Sequence, residues 1–203
     1  ERLIMEIFDL YDINRRKTKR TMIRGKKTPK NFYRTIIHVC IFNSKNEMLI
    51  QQRQKTKRGW ANLWDFSVSG SVKKGETSQI AARREVNEEL GIDLDFRGVR
   101  PDFTINFKQG FDDFYTFMEE IDIKDVVIQE EEVQDCKWAT KEEIYKLIDE
   151  NKFIPYTKSL IEMLYFTKEK RGIHTNSKAF DNGKKVRNFN RNNNSHYYSK
   201  NKF

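Results

Sequence analysis

The 203-residue sequence predicts an α/β fold, a mixed β-sheet with helices packed on its faces. Three observations point there. Two short segments dense in Ile, Val, Leu and Phe, Thr35–Phe42 and Glu47–Arg53, are separated by the turn Asn43-Ser44-Lys45-Asn46, a hairpin pattern. Thr77–Leu90 reads as one helix, with Thr77 as its N-cap and Gly91 just past its end. Strand-like runs then recur until two helical segments close the body.

The remaining elements follow in chain order. Met5–Tyr11 and Arg20–Arg24 are strand-like and form an N-terminal hairpin that leads through Gly25 and Pro29 into the body. Trp64–Ser69 is a short strand running to Gly70, and further strands are expected at Val99–Phe107, Phe114–Ile121 and Val133–Trp138. Lys141–Asn151 carries Ile144, Leu147 and Ile148 on one helical stripe. Pro155 is expected to open a last helix with Leu160, Met163 and Leu164 on its apolar side. The expected organisation is a hairpin region over 1–34, a core over 35–167 and a basic Asn/Lys-rich tail over 168–203. The tail's apolar residues keep neither period, so it reads as disordered.

The chain has 39 Lys plus Arg against 30 Asp plus Glu, a formal charge of +9, but that charge is unevenly placed. Residues 168–203 hold 10 basic and 2 acidic groups, whereas 35–167 hold 18 basic and 24 acidic groups. A nucleic-acid partner is therefore an expectation for the tail alone. There Phe189, Tyr197 and Tyr198 interleave with Arg187, Arg191 and Lys200 as a single-strand binder would need, and the bland alternative is a solvated tail. A second cluster, Arg15–Arg34, has ten Lys or Arg and no acid, and reads either as a solvated face or as a positive rim beside an anionic substrate. No apolar run approaches the roughly 18 residues that cross a bilayer. Cys40 and Cys136 lack the spacing of a disulfide framework or a zinc site, Glu1–Phe8 has no signal-peptide pattern, and a cytoplasmic location is expected, with Met5 a candidate start.

The chemistry is concentrated in Gly70–Ile92, GSVKKGETSQIAARREVNEELGI. At 3.6 residues per turn, Glu85, Glu88 and Glu89 fall within an arc of about 100° on one helix face. Beside it runs the stripe Ala82, Val86, Leu90, which should pack on the sheet and hold the helix. A solvated acidic face usually carries a cation at i+4 from each Glu. Here those positions are Glu89, Ile92 and Asp93, and only Arg84 reaches Glu88. A bound hard cation, Mg²⁺ or Mn²⁺, would relieve the repulsion, and the lack of a nearby His or Cys argues against zinc.

This segment resembles the signature of the Nudix hydrolases: Gly70, Glu76, Arg84, Glu85, Glu88, Glu89 and Gly91 stand at the fixed places, with Val86 and Ile92 at the apolar ones. The resemblance implies an α/β/α sandwich and hydrolysis of a diphosphate linkage in a nucleoside diphosphate joined to another moiety, by water attack on phosphorus. It implies that Glu85, Glu88 and Glu89 bind the metal with the backbone carbonyl of Gly70, that Arg84 and Glu76 orient them, and that Glu85 polarises water. A further acid from a later loop is expected among Glu130, Glu131 and Glu132, with Glu131 the candidate, against a plain solvated acidic run. Family members are often homodimers.

The stretch LIQQRQKTKRGWANLWDFSVSGSV also resembles isopentenyl-diphosphate isomerases, which share the fold and use a cysteine just upstream of their box. Asp65–Ser71 has no cysteine and the box is intact, so isomerisation stands as the alternative; a nucleotide- or RNA-binding module is the third reading. Arg53, Lys57 and Arg58 either contact substrate phosphates or belong to a solvated loop. Trp60 and Trp64 are expected to be buried rather than stacked on a base, His38 to be a core or wall residue, and Cys40 a small buried hydrophobe. The Phe103–Tyr115 segment resembles a hairpin at the mouth of the site.

Overall fold

A computed structural model describes residues 5–168; the expectations for the basic tail lie outside the described residues. Strands β1 (Ile7–Tyr11) and β2 (Lys17–Ile23) form a separate antiparallel pair around Phe8, Leu10 and Met22. Asp12 makes their turn, its side chain accepting the backbone N–H groups of Asn14 and Arg16.

The main sheet is mixed and contains β3 (Arg34–Phe42), β4 (Met48–Arg53), β5 (Trp64–Asp65), β6 (Val68–Ser71), β7 (Phe103–Phe107), β8 (Gly110–Met118) and β9 (Val133–Ala139). β3 runs parallel to β8 along its whole length and antiparallel to β6 on its other edge. The expected β3–β4 hairpin exists only at its tip, where Phe42 pairs with Met48 and the Asn43 side chain accepts the N–H groups of Lys45 and Glu47. Beyond the tip the strands part, because β6 takes the edge of β3 while β5 and β9 take the two edges of β4. Ser67 pins the apex of this split: its hydroxyl accepts from Ile41 N–H and donates to the Leu49 carbonyl. The single strand expected over Trp64–Ser69 is accordingly two, one on each side of the split.

Three helices cover the sheet: α1 (Ser78–Leu90), α2 (Lys141–Asp149) and α3 (Lys158–Thr167). Alternation along β3 sends Ile37, Val39 and Ile41 to the face packed by Ala82, Val86 and Leu90 of α1. Cys40 and Phe42 face the other way, with Ile144 of α2 and Ile161 and Leu164 of α3. The last helix starts at Lys158, capped by the Thr157 hydroxyl, rather than at Pro155. Its buried side is Ile161, Leu164 and Tyr165 with Leu160 packed against the same cluster, and of the expected stripe only Met163, 40% exposed, faces away. Cys40 and Cys136 are free and buried. Among the described residues no helix is long and apolar enough to cross a membrane.

Candidate active site

The catalytic candidate begins with how α1 is held. The Thr77 hydroxyl accepts from Ile80 N–H, and Gly91, at φ 67°, ends the helix with its N–H on the Asn87 carbonyl. With Ala81, Ala82, Val86 and Leu90 buried, the three acids on the neighbouring arc sit at increasing depth: Glu88 exposed, Glu85 largely covered, Glu89 only 6% exposed. The C-terminal end of this arc lies over the split in the sheet. Glu89 accepts from Gln51 Nε2 of β4 at 2.8 Å, while Glu85 lies against Gly70 of β6. A Cβ on Gly70 would stand 2.3 Å from Glu85 Cδ, so only bare backbone fits beneath that carboxyl.

Arg84 organises the outer half. Its Nε reaches Glu76 at 2.6 Å, its Nη1 reaches both Glu85 and Glu88 at 2.9 Å, and its Nη2 donates to the Ser71 carbonyl at 3.2 Å. Glu76 is fixed in turn by the Lys73 N–H at 2.8 Å. Burial pushes the Glu76 carboxyl up, but hydrogen bonds from Arg84 and Lys73 outweigh it and hold its pKa below the usual range. Glu85 behaves oppositely: burial raises its pKa despite Arg84. Glu89 is pushed up to about 8, by burial first and then by the charge of Glu85, with Glu132 and Asp65 adding to it against the Gln51 hydrogen bond.

These residues fit a divalent cation. Among the described residues, two crowded carboxylates repel without a cationic partner for Glu89, the donors are all oxygen, and Gln51 Oε1 is buried with no hydrogen-bond partner. Among the described residues no three acids already converge as a ready-made cluster. Arg84 accounts for this, since it draws Glu85 and Glu88 onto its guanidinium.

The loop after β8 packs on the end of α1, with Val127 N–H on the Leu90 carbonyl and Gln129 N–H on that of Glu89. Gly91 permits this approach, since a Cβ there would lie 2.9 Å from the Val127 Cβ. The acidic run is thereby carried past the site, but its members differ. Glu132 is partly covered, pairs with Lys57 and adds its charge to Glu89, whereas Glu130 and the candidate Glu131 are exposed. Arg53 is turned to the Gly59 carbonyl and to Asp65, 3.6 Å away, and Arg58 is exposed. Of the candidate phosphate contacts, Arg53 and Lys57 thus have protein partners. Trp64 is buried under the Lys137 ammonium, but Trp60 is 55% exposed at φ 53° in the loop, contrary to the expected burial. His38 is a wall residue as expected, stacked on Phe114 with ring centroids 4.6 Å apart. β7 and β8 form the hairpin expected over Phe103–Tyr115, while the strand expected from Val99 begins only at Phe103.

The N-terminal hairpin contributes more than a basic rim. Lys74 N–H donates to the Ile7 carbonyl at 2.8 Å and Gly75 N–H to Asp9 Oδ2 at 2.7 Å, clamping the loop before α1. Lys73 lies between Glu6, at 3.4 Å, and Glu88, at 3.9 Å. Arg15, Lys17 and Arg24 are paired with Asp113, Asp9 and Glu6, so part of the basic cluster holds the hairpin in place. Gln51 lies in an apolar strand, and the clamp acids Glu6 and Asp9 precede the basic cluster in a stretch, 5–14, with three acids and no Lys or Arg, so neither the cations nor the box point to them.

The sequence profile of the NUDIX domain matches residues 32–159, which contain every one of these α1 carboxylates. The chain belongs to the Nudix family. An uncharacterized Nudix hydrolase of Listeria monocytogenes is 46% identical to this Nudix chain over 170 residues, covering 84% of it and 99% of that protein. An isopentenyl-diphosphate Delta-isomerase of Photorhabdus laumondii is 29% identical over 119 residues, 55% of this chain and 64% of that one. The crystal structure of DR0079 from Deinococcus radiodurans shares the fold at a TM-score of 0.63, with 20% identity, over 80% of this chain and 99% of its own. The chain is therefore an enzyme of the Nudix hydrolases, which cleave pyrophosphate bonds in nucleoside diphosphate derivatives.

Proposed function

We propose that this Nudix hydrolase cleaves the diphosphate linkage of a nucleoside diphosphate joined to another moiety, by water attack on phosphorus, with Mg²⁺ or Mn²⁺ held by Glu85, Glu88, Glu89 and the Gly70 carbonyl. The observation that carries the reading is the pair of buried carboxylates, Glu85 seated on Gly70 and Glu89 held by Gln51, with no cation against Glu89 among the described residues. When bound, the metal supplies neutralisation of the diphosphate oxygens and a lowered pKa for water.

The chain's own residues do the positioning. Glu76 fixes Arg84, and Arg84 fixes the orientation of Glu85 and Glu88, so the acids are set before substrate arrives. Glu85, inside the site with its proton affinity raised by burial, is the group that accepts a proton from the attacking water. Glu132, paired with Lys57 and near enough to add its charge to Glu89, is the member of the loop run that would assist. Isomerisation is disfavoured because residues 65–71 offer Ser67, Ser69 and Ser71 but no thiol, while burial pushes the Cys40 and Cys136 thiols up and away from reaction.

The test is hydrolysis of a panel of nucleoside diphosphate derivatives in ¹⁸O-water, with Mg²⁺, with Mn²⁺ and with chelator. The reading expects metal-dependent release with one ¹⁸O on a phosphoryl product. Conversion of isopentenyl diphosphate to its allylic isomer without phosphate release would overturn it.

A further inference from the structure

β4 ends its apolar run on a buried amide. Alternation along Met48-Leu49-Ile50-Gln51 turns Leu49 toward the α1 cluster and Ile50 away from it, so Gln51 stands on the α1 face. It is 2% exposed, with Asp65 of β5 and Cys136 of β9 opposite it in register. Its Nε2 donates to Glu89 Oε2 at 2.8 Å, while its Oε1 is buried and has no hydrogen-bond partner among the described residues. The groups whose charge pushes on Glu89 are Glu85, Glu132 and Asp65, all acids, and when ionised they have no proton to offer that oxygen.

Packing does not explain the residue. A Leu or Met would fill the same space beside Leu49 without burying an acceptor that nothing satisfies. A role toward Glu89 alone explains only half of it, since that bond uses Nε2 and leaves Oε1 over. Nor can the amide be reversed while Glu89 is ionised, as a carboxylate that ligates a cation must be. Reversal would set Oε1 against Glu89 Oε2, two acceptors face to face. Oε1 is therefore held beside the carboxylate pair as a neutral acceptor open to a donor.

The donor that fits is a water on the cation. Hard divalent ions keep several waters in carboxylate sites, and the ion's charge makes each a better proton donor than bulk water. An amide accepts from such a water without adding negative charge where Glu85, Glu89, Glu132 and Asp65 already crowd. We propose that Gln51 is a positioning residue of the metal site, its Nε2 fixing the Glu89 oxygen and its Oε1 accepting a hydrogen bond from a water on the ion. The proposal rests on the function above in taking Glu85 and Glu89 to hold that ion.

Mn²⁺ binding to the full chain without substrate, followed by the electron-spin-resonance signal of the free ion beside a metal-free thermal melt, tests it. Gln51→Met removes donor and acceptor with little change of volume. It should weaken Mn²⁺ binding by about 10–100-fold, the scale set by lost partners of metal ligands, with a metal-free Tm close to wild type. Gln51→Asn keeps the amide but withdraws it by one methylene, and should weaken binding by about threefold or more, so the test survives misfolding of the Met variant. Gln52→Met, at the next position and bonded to the Asn62 carbonyl at 3.0 Å, should bind like the wild type. Wild-type affinity in the folded Gln51 variants would overturn the role, and a lowered metal-free Tm with that affinity would mark a packing residue instead. An equal loss in Gln52→Met would overturn it too. No Mn²⁺ binding by the wild type would overturn the hydrolytic reading on which the role rests.

Discussion

The hairpin clamp and the α1 site use the same side chains to opposite ends. At the clamp, Glu6 and Asp9 are partly or wholly covered, yet their partners win over burial. Arg24 and Lys73 hold Glu6 below the usual carboxylate range, and the Gly75 N–H and Lys17 do so for Asp9. At the site burial wins instead, and Glu85 and Glu89 are both pushed up. The difference teaches where the molecule has invested in holding itself together and where it has kept charge in reserve for a cation. A carboxylate satisfied by protein donors contributes stability; one left short of them is available for chemistry.

The sharpest way to break this comparison is to neutralise the buried pair. Glu85→Gln or Glu89→Gln should lower kcat by about 10²–10⁴-fold with folding retained, on the scale of lost acid–base and metal assistance; steady-state kinetics beside a thermal melt checks it. Gly70→Ala comes next, because the added Cβ would stand 2.3 Å from Glu85 Cδ and displace that carboxyl. A loss of about 10²-fold in kcat is expected for such a misplacement, with a Tm close to wild type. On the clamp side, Asp9→Ala removes the acceptor of the Gly75 N–H and should cost about 1–3 kcal/mol in urea unfolding, well before it costs comparable catalysis.

A last contrast is in the pH profile of metal-free stability. Glu89 has a folded pKa near 8 against an ordinary 4.5, so the native state holds the proton more tightly and stability falls as pH rises through that window. Glu6 and Asp9, held below their ordinary values, act in the opposite sense: their stabilisation is present above pH 4.5 and is lost as pH falls through their folded values. Glu89→Gln should therefore flatten the metal-free Tm profile on its alkaline side and leave the acid side unchanged. A profile unaltered by that substitution would remove the contrast between the two regions.

How much of this could be read from the sequence depends on how local the cause is. α1 and its acids were legible because a threonine cap, a left-handed glycine and an apolar stripe are all contained in fifteen residues. The β3–β4 split was not, since the turn at Asn43–Asn46 dictates only the tip and the partners that separate the strands come from residues 68–71 and 133–139. Three consecutive glutamates cannot be ranked by composition; in the fold Glu132 is partly covered, pairs with Lys57 and adds its charge to Glu89, while Glu130 and Glu131 are exposed. Trp60 and Trp64 look alike in sequence, but Trp64 is in a strand beneath Lys137 and Trp60 sits in a loop at positive φ. Gln51 was hidden by its place in an apolar strand, where its polarity has meaning only once Glu89 is beside it.

Metal binding read without turnover bears most directly on the central claim that the buried Glu85 and Glu89 are held for a cation. A thermal melt of the full chain with and without saturating Mn²⁺ measures it. At 100 times the dissociation constant a specific ligand adds about 2.7 kcal/mol, so the wild type should show a clear rise in Tm, and the Glu85→Gln/Glu89→Gln double variant should show none. An equal Mn²⁺-induced rise in the double variant, or no rise in the wild type, would contradict the account.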